Sequence, residues 1–408
     1  MQQHIAIIGG GAAGYMAAIS AKTHRPDAEV LLLEKSDKLL SKVRISGGGR
    51  CNVTHDCPEP RKLARHYPRG EAFLRKVFAQ WGQPETVQWF AQQGVQLKTE
   101  SDGRMFPSTE SSQTVIDALQ GAAEKLGVRV RLSCAVSRME RVDEVWQLAT
   151  PQGSLQVDRM IVASGGSPKA EGLEWLRALG HEVVAPVPSL FTFNLTDERI
   201  RELMGVVAPN VRLRIEGTKL ESNGPLLITH WGFSGPVVLR LSAFGARALH
   251  ERNYAYTVRV HWLGDVNEQQ AREQLLAEAA AHPKRQLANA TGFGLPARLW
   301  SYLLERSGLQ PDKPLSELGP RLLARLLDVL TNDKYAAQGK TTFKEEFVTA
   351  GGISLAQVDP LTLQSTVQTG LHFAGEVLDI DGITGGFNFQ AAWSTGWLAG
   401  RSAALDAI

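Results

Sequence analysis

Chemistry in this chain concentrates in one short stretch. In Ile45-Ser46-Gly47-Gly48-Gly49-Arg50-Cys51-Asn52, three glycines are followed by a cation, a thiol and an amide. Glycines strip side chains from the backbone and let main-chain N–H groups approach a ligand. Cys51 could form an adduct or a disulfide with a redox partner. No Cys-x-x-Cys pair contains it, which argues against dithiol chemistry and for packing. Arg50 could balance a negative charge on a ligand, or simply pair with a phosphate or carboxylate. Asn52 could hydrogen-bond a ring or cap the next turn. Far along the chain, His230-Trp231 precedes Gly232-Phe233-Ser234-Gly235-Pro236. His230 suits a proton donor near pH 7. The bland alternative is a structural loop that starts a helix at Pro236 with Ser234 as cap. His55 and His372 read as structural. Cys51 and Cys57 have no matching pair elsewhere, so no metal site is expected.

The glycine run is positioned by what precedes it. His4 to Ile8 reads as a buried strand, Ala12 to Thr23 as a helix of small and apolar residues, and Val30 to Leu33 as a second buried strand. Between strand and helix lies Gly9-x-Gly11-x-x-Gly14, the dinucleotide fingerprint. Gly9 permits the tight turn, Gly11 admits a diphosphate to the backbone, and Gly14 lets helix and strand pack closely. The helix N-terminus favours the phosphate charge. Glu34 follows 20 residues after Gly14, where a carboxylate can accept hydrogen bonds from a ribose diol. An acid there favours FAD or NAD over NADP.

Two distant segments separate FAD from NAD. Ile161 to Gly166 is a strand running through Ala163 into a Gly165-Gly166 turn. Phe373 to Gln390 carries a strand ending at Gly375-Glu376, a loop through Gly385-Gly386, and a helix starting near Asn388 and Phe389. Three segments returning to one ligand suit a long, extended cofactor, FAD. No second complete fingerprint occurs, so NAD(P)H is expected only as a transient electron donor.

The remaining chain supplies a frame. Residues 71–93 and 111–126 read as amphipathic helices. Val128, Val130 and Leu132 alternate with polar residues as in a half-buried strand, and Trp146 to Leu148 with Leu155 to Val157 as a hairpin. Arg159 to Ala163 is a third core strand. Residues 190–262 carry short alternating strands that suggest a barrel, residues 267–331 are helical, and Gly-rich α/β character returns after 350. This order implies a discontinuous nucleotide-binding domain over 1–187 and 345–408. A β-rich domain over 188–266 and about 332–344 forms the substrate side, and 267–331 a helical subdomain.

Bulk properties bound the rest. Lys+Arg 44 against Asp+Glu 42 leaves a net charge of +2, read as excluding nucleic acid and an acidic membrane surface. Three cysteines in 408 residues point to a reducing cytoplasm. The apolar N-terminal stretch lacks a preceding basic residue and reads as strand and helix, not a targeting segment. No apolar run is long enough for a membrane span. Oligomeric state is not legible.

With these residues in place the chain resembles the HI0933-like, BaiN/RdsA-like bacterial flavoproteins, a family that includes aminoacetone oxidase-like members. The resemblance rests on the fingerprint through Glu34-Lys35, on Ser46 to Asn52, and on Gly103-Arg104-Met105-Phe106-Pro107. It continues through Thr229 to Pro236, Thr349-Ala350-Gly351-Gly352, and Gly375 to Gln390. It implies a two-dinucleotide-binding-type FAD domain with a Rossmann-like parallel sheet, an inserted β-barrel and a helical subdomain. It carries FAD contacts onto Ala13, Glu34, Lys35, Lys42, Gly47 to Asn52, Val136, Gly375, Glu376 and the Gly385–Phe389 loop. Ser41 stands where many relatives have Arg or Lys, Ile383 replaces a frequent Pro, and Phe387 a frequent Tyr.

The implied activity is an FAD-dependent oxidoreductase passing a hydride through flavin N5. NAD(P)H would drive reduction of an activated C=C bond in a small organic substrate. Arg50, Cys51 and His230 are the candidate catalytic residues. An O2-using oxidase of a small amine or amino-ketone is the alternative, and a non-catalytic flavin-binding sensor or scaffold a third reading of another class.

Overall fold

A computed structural model describes residues 2–290, 292–341 and 348–405. Contacts divide the described chain into two compact units, one of residues 2–189 and 348–405, the other of 190–290 and 292–341. The expected boundary at 344/345 lies outside the described residues.

The first unit is built on five parallel strands in the order Leu371–Phe373, Arg159–Val162, His4–Ile8, Glu29–Leu33, Arg129–Arg131. Both ends of the sequence therefore share one sheet. Parallel neighbours need crossovers, and the first is the N-terminal helix Ala12–His24. The C-terminal helix Phe387–Leu405 packs against it along glycines four residues apart. A Cβ at Gly396 would stand 2.5 Å from the Ala13 carbonyl oxygen, and one at Gly400 2.1 Å from that of Ala17. The two helices approach backbone to backbone, so small residues are required along this seam.

Local expectations hold in part. The segment 71–93 forms two helices, Glu71–Phe78 and Gln83–Gln92. The break falls at Gly82, whose N–H donates to Glu85 (2.8 Å), and Pro84 enters the first turn of the second helix, where it is tolerated. Val130 and Leu132 are each 39 % exposed, because Arg129–Arg131 is an edge strand. The hairpin is present as Val145–Thr150 and Gly153–Val157, joined by a third strand, Arg138–Val142. A further antiparallel sheet joins Thr54–His55, Arg104–Pro107 and Leu97–Thr99.

The second unit contains a closed, antiparallel barrel. Its strands run Thr192–Leu195, Gly232–Ser234, Glu221–Thr229, Val207–Ile215, Ala255–His261 and Asp333–Thr341, which pairs back to the first. Phe193, Leu213, Ile228, Phe233 and Val260 are fully buried, at the alternate positions a strand turns to one face. Helices Glu268–Ala281, Ala297–Arg306 and Pro320–Asn332 contribute Leu275, Leu303 and Leu326 to the same apolar cluster. Pro236 does begin a helix, but Gly235 is its N-cap and no side chain caps it. Ser234 belongs to a strand instead, so the expected cap is corrected.

Candidate cofactor-binding site

The fingerprint glycines have different physical duties. Gly9 takes a left-handed φ of 116°, and a Cβ there would meet the Ala163 carbonyl oxygen at 2.3 Å. A Cβ at Gly14 would lie 1.9 Å from the Gly9 oxygen. These two positions are dictated by the fold itself. Gly11 has an ordinary φ of −91°, caps the N-terminal helix, and would place a Cβ with nothing within 4 Å. Gly11 is thus free of internal packing demands and presents the helix N-terminus, where N–H groups and dipole favour an anion.

Glu34 ends the second strand. One carboxylate oxygen accepts from the Gly10 N–H (2.8 Å), the other from the Ser36 N–H (2.9 Å) and hydroxyl (2.8 Å). The carboxylate fixes the glycine turn, and lone pairs remain for a further donor. Lys35 is exposed. The Cys134 N–H donates to the Glu34 carbonyl (2.9 Å), which lays the segment leading to half-buried Val136 alongside. Ala163 donates to Ile8 O (2.8 Å). Gly165 then turns with φ 75° and an open Cβ direction.

The glycine run follows a helical turn. Ser41–Gly49 begins helically, breaks at extended Ser46 (ψ 148°), and continues through left-handed Gly47 and Gly48. A Cβ at Gly47 would press on Phe106 (2.9 Å), whereas at Gly48 and Gly49 it would meet nothing within 4 Å. Cys51 also has a positive φ (61°) and is wholly buried. Burial pushes its thiol up to about 12, which favours the protonated form at neutral pH and fits a packing role. Arg50 is already engaged. It donates to Glu100 (2.8 Å) and Glu110 (3.0 Å), and its guanidinium lies 4.1 Å from the Phe106 ring centroid.

Distant segments meet here. Lys42 Nζ pairs with Glu376 (2.7 Å), whose other oxygen accepts from the Thr349 N–H (2.9 Å). A Cβ at Gly375 would approach Ala13 Cβ to 2.8 Å. Asn52 accepts from the Gly386 N–H (3.0 Å) while donating to Thr54 O (2.9 Å). Asn388 closes the loop by pairing with both the N–H and C=O of Gly382 (2.8 and 3.0 Å), and the Phe389 ring stacks on Trp393 (5.6 Å). His230 belongs to the second unit and is exposed in the turn between two barrel strands, with Trp231 edge-on at 4.2 Å.

Sequence reasoning passed over Thr349, Thr54 and Gln390 as site residues and read His55 as structural. The only available signal was their place inside or next to the quoted motifs. Among the described residues no cluster of His, Cys, Asp and Glu could hold a metal ion, and no helix is long and apolar enough to cross a membrane.

The model of the HI0933-like protein Rossmann domain family matches residues 3–402. The chain belongs to the HI0933-like family. Among relatives of this HI0933-like chain is the ribosomal RNA dihydrouridine synthase of Escherichia coli K12. It is 30% identical over 402 residues, covering 96% of this chain and 95% of that one. A 3-dehydro-bile acid delta(4,6)-reductase of Clostridium scindens is 29% identical over 408 residues, covering 98% of both. Among solved structures, the 3-ketosteroid-delta4-(5alpha)-dehydrogenase of Rhodococcus jostii RHA1 has a TM-score of 0.51 at 14% identity. It covers 99% of this chain and 97% of that one, and shows the shared fold.

FAD fits what the residues offer. Four glycines on three segments, Gly11, Gly48-Gly49 and Gly165, leave room where a side chain would project. A helix N-terminus that no side chain caps, the Glu34 carboxylate and left-handed backbone accompany them.

Proposed function

We propose that this protein reduces a C=C bond conjugated to a carbonyl, with FAD as resident cofactor and NAD(P)H as transient electron donor. Membership of the HI0933-like family makes it an FAD-dependent oxidoreductase. The observation that carries the reading is the convergence of three distant segments, through Lys42–Glu376, Asn52–Gly386 and Ala13–Gly375. FAD when bound supplies the hydride transfer. In this reading Gly11 and the helix N-terminus hold the diphosphate, and Glu34 takes the ribose diol. Gly48, Gly49 and the Gly385-Gly386 loop line the cofactor with backbone. Residues 1–187 with 345–408 form the FAD domain, and the barrel segment contributes the substrate side. All three cysteines are free, which suits a reducing cytoplasm.

The relatives' names favour this chemistry over the amine oxidase. A delta(4,6)-reductase and a dihydrouridine synthase both denote saturation of a C=C bond activated by a nearby carbonyl. They differ in substrate size, and the ribosomal RNA relative weighs against excluding nucleic acid on net charge. Net charge sums a surface and does not register a local cluster. Among the described residues, Arg61, Arg65, Arg75 and Lys76 are exposed on or beside the helices Pro60–Ala64 and Glu71–Phe78, where Lys62 is the cation paired with Glu59. A uracil base in RNA is therefore the second reading.

The test is anaerobic titration of FAD-loaded protein with NADH and NADPH, followed by addition of a 4-en-3-one steroid or of uridine-containing RNA. Bleaching by a nicotinamide and reoxidation by either acceptor supports the proposal. A protein that takes up no FAD, or one bleached only by amines with peroxide formed in air, defeats it.

A further inference from the structure

Residues 52–55 hold the 385–393 segment one after another. Asn52 accepts from the Gly386 N–H (3.0 Å). The Val53 carbonyl accepts from Trp393 Nε1 (3.0 Å), and Thr54 Oγ1 donates to Gln390 Oε1 (2.5 Å). His55 Nδ1 lies 3.1 Å from the Gly385 carbonyl oxygen, and its ring stacks on Phe387 at 4.6 Å. A carbonyl only accepts, so Nδ1 carries the proton. Burial lowers the imidazole pKa and favours its neutral form. A Cβ at Gly103 would stand 2.6 Å from His55 Nε2, so glycine there makes room for the ring.

This grip has a physical purpose. Gly385 and Gly386 have φ of 123° and 91°. Two consecutive glycines in left-handed backbone have the largest conformational freedom to lose and no side chains to lock them. Something outside the dipeptide must hold its carbonyl and its N–H. The Gly385 carbonyl is held by His55 and the Gly386 N–H by Asn52.

We propose that His55 is a positioning residue for the cofactor: its Nδ1–H, acting with Asn52, sets the main chain of Gly385-Gly386 before the cofactor arrives. This rests on the flavin reading above. Without the His55 donor the loop samples other conformations, and the cofactor must order it on binding.

The experiment compares His55→Phe, which keeps a stacking ring without the donor, with His55→Asn, which restores a donor near the Nδ1 position. Hydrogen–deuterium exchange of the cofactor-free protein reads the loop directly, and FAD titration with visible spectra reads the consequence. His55→Phe is expected to speed exchange of the 385–389 amides and weaken FAD binding about three- to tenfold, the range for one neutral hydrogen bond. It should also shift the visible flavin band, and His55→Asn should recover each in large part. Unchanged exchange in a folded His55→Phe protein overturns the proposal, as does faster exchange with unchanged FAD affinity. A wild-type protein that takes up no FAD ends the flavin reading, while the exchange comparison still decides the clamp.

Discussion

Two glycines of one fingerprint should fail in opposite ways. Gly14→Ala places a methyl 1.9 Å from the Gly9 carbonyl oxygen, a backbone atom that cannot step aside. The turn or the helix must move, at a cost of about 3 kcal/mol or more, the upper range for overpacking. Gly11→Ala meets nothing within 4 Å and keeps an unstrained φ of −91°. Losing glycine at an N-cap costs some tenths of a kcal/mol to about 1. Reduced freedom of the unfolded chain returns about 0.4–1 kcal/mol. The folded, cofactor-free protein should therefore be nearly unaffected. The methyl would instead occupy the approach of the diphosphate, weakening FAD by about 5- to 150-fold if about 1–3 kcal/mol of steric cost falls on binding. Chemical denaturation of cofactor-free protein and quenching of FAD fluorescence measure the two quantities independently. The reasoning is refuted if Gly11→Ala binds FAD like the wild type, or if it is as unstable as Gly14→Ala.

Other substitutions probe the surrounding contacts. The buried Cys51 thiol sits near 12 against an ordinary value near 9.0. A raised folded pKa gives stability that is full below about 9 and is lost as pH rises toward 12, at up to about 1.4 kcal/mol per pH unit. Urea midpoints from pH 7 to 10.5 should fall more for the wild type than for Cys51→Ala. Arg69 pairs with Asp381, whose side chain is 0 % exposed. Arg69→Met leaves that carboxylate uncompensated and should cost about 3–5 kcal/mol in denaturant titrations, with part regained in an Arg69→Met/Asp381→Asn double variant. Arg50 shares its charge between Glu100 and Glu110 at a half-exposed site. Arg50→Gln should shift stability by under about 1 kcal/mol in the same titrations, and a larger loss would mean the cluster is more than a surface network.

The sequence by itself determined the features whose cause is local. A glycine is needed where its own backbone turns or where its own helix crosses a strand. Gly9, Gly14 and the strands around them were therefore legible, as was an acid in register at Glu34. The fold class was legible because hydrophobic runs and small-residue helices repeat local rules. Tertiary structure alone decided the partners. Lys42 meets Glu376 across 334 residues, and Asn52 meets Gly386 across a similar span. Arg50 was read either as a cation for a ligand or as half of a salt bridge, and only the fold shows that Glu100 and Glu110 reach it. Packing was the favoured reading of Cys51, but its complete burial, which raises the thiol pKa, depends on the fold. Val130 and Leu132 show the same limit, because alternation marks which residues share a face and not whether anything covers it. Hydrogen-bond partners and desolvation depend on where the chain returns in space, and no single segment carries that information.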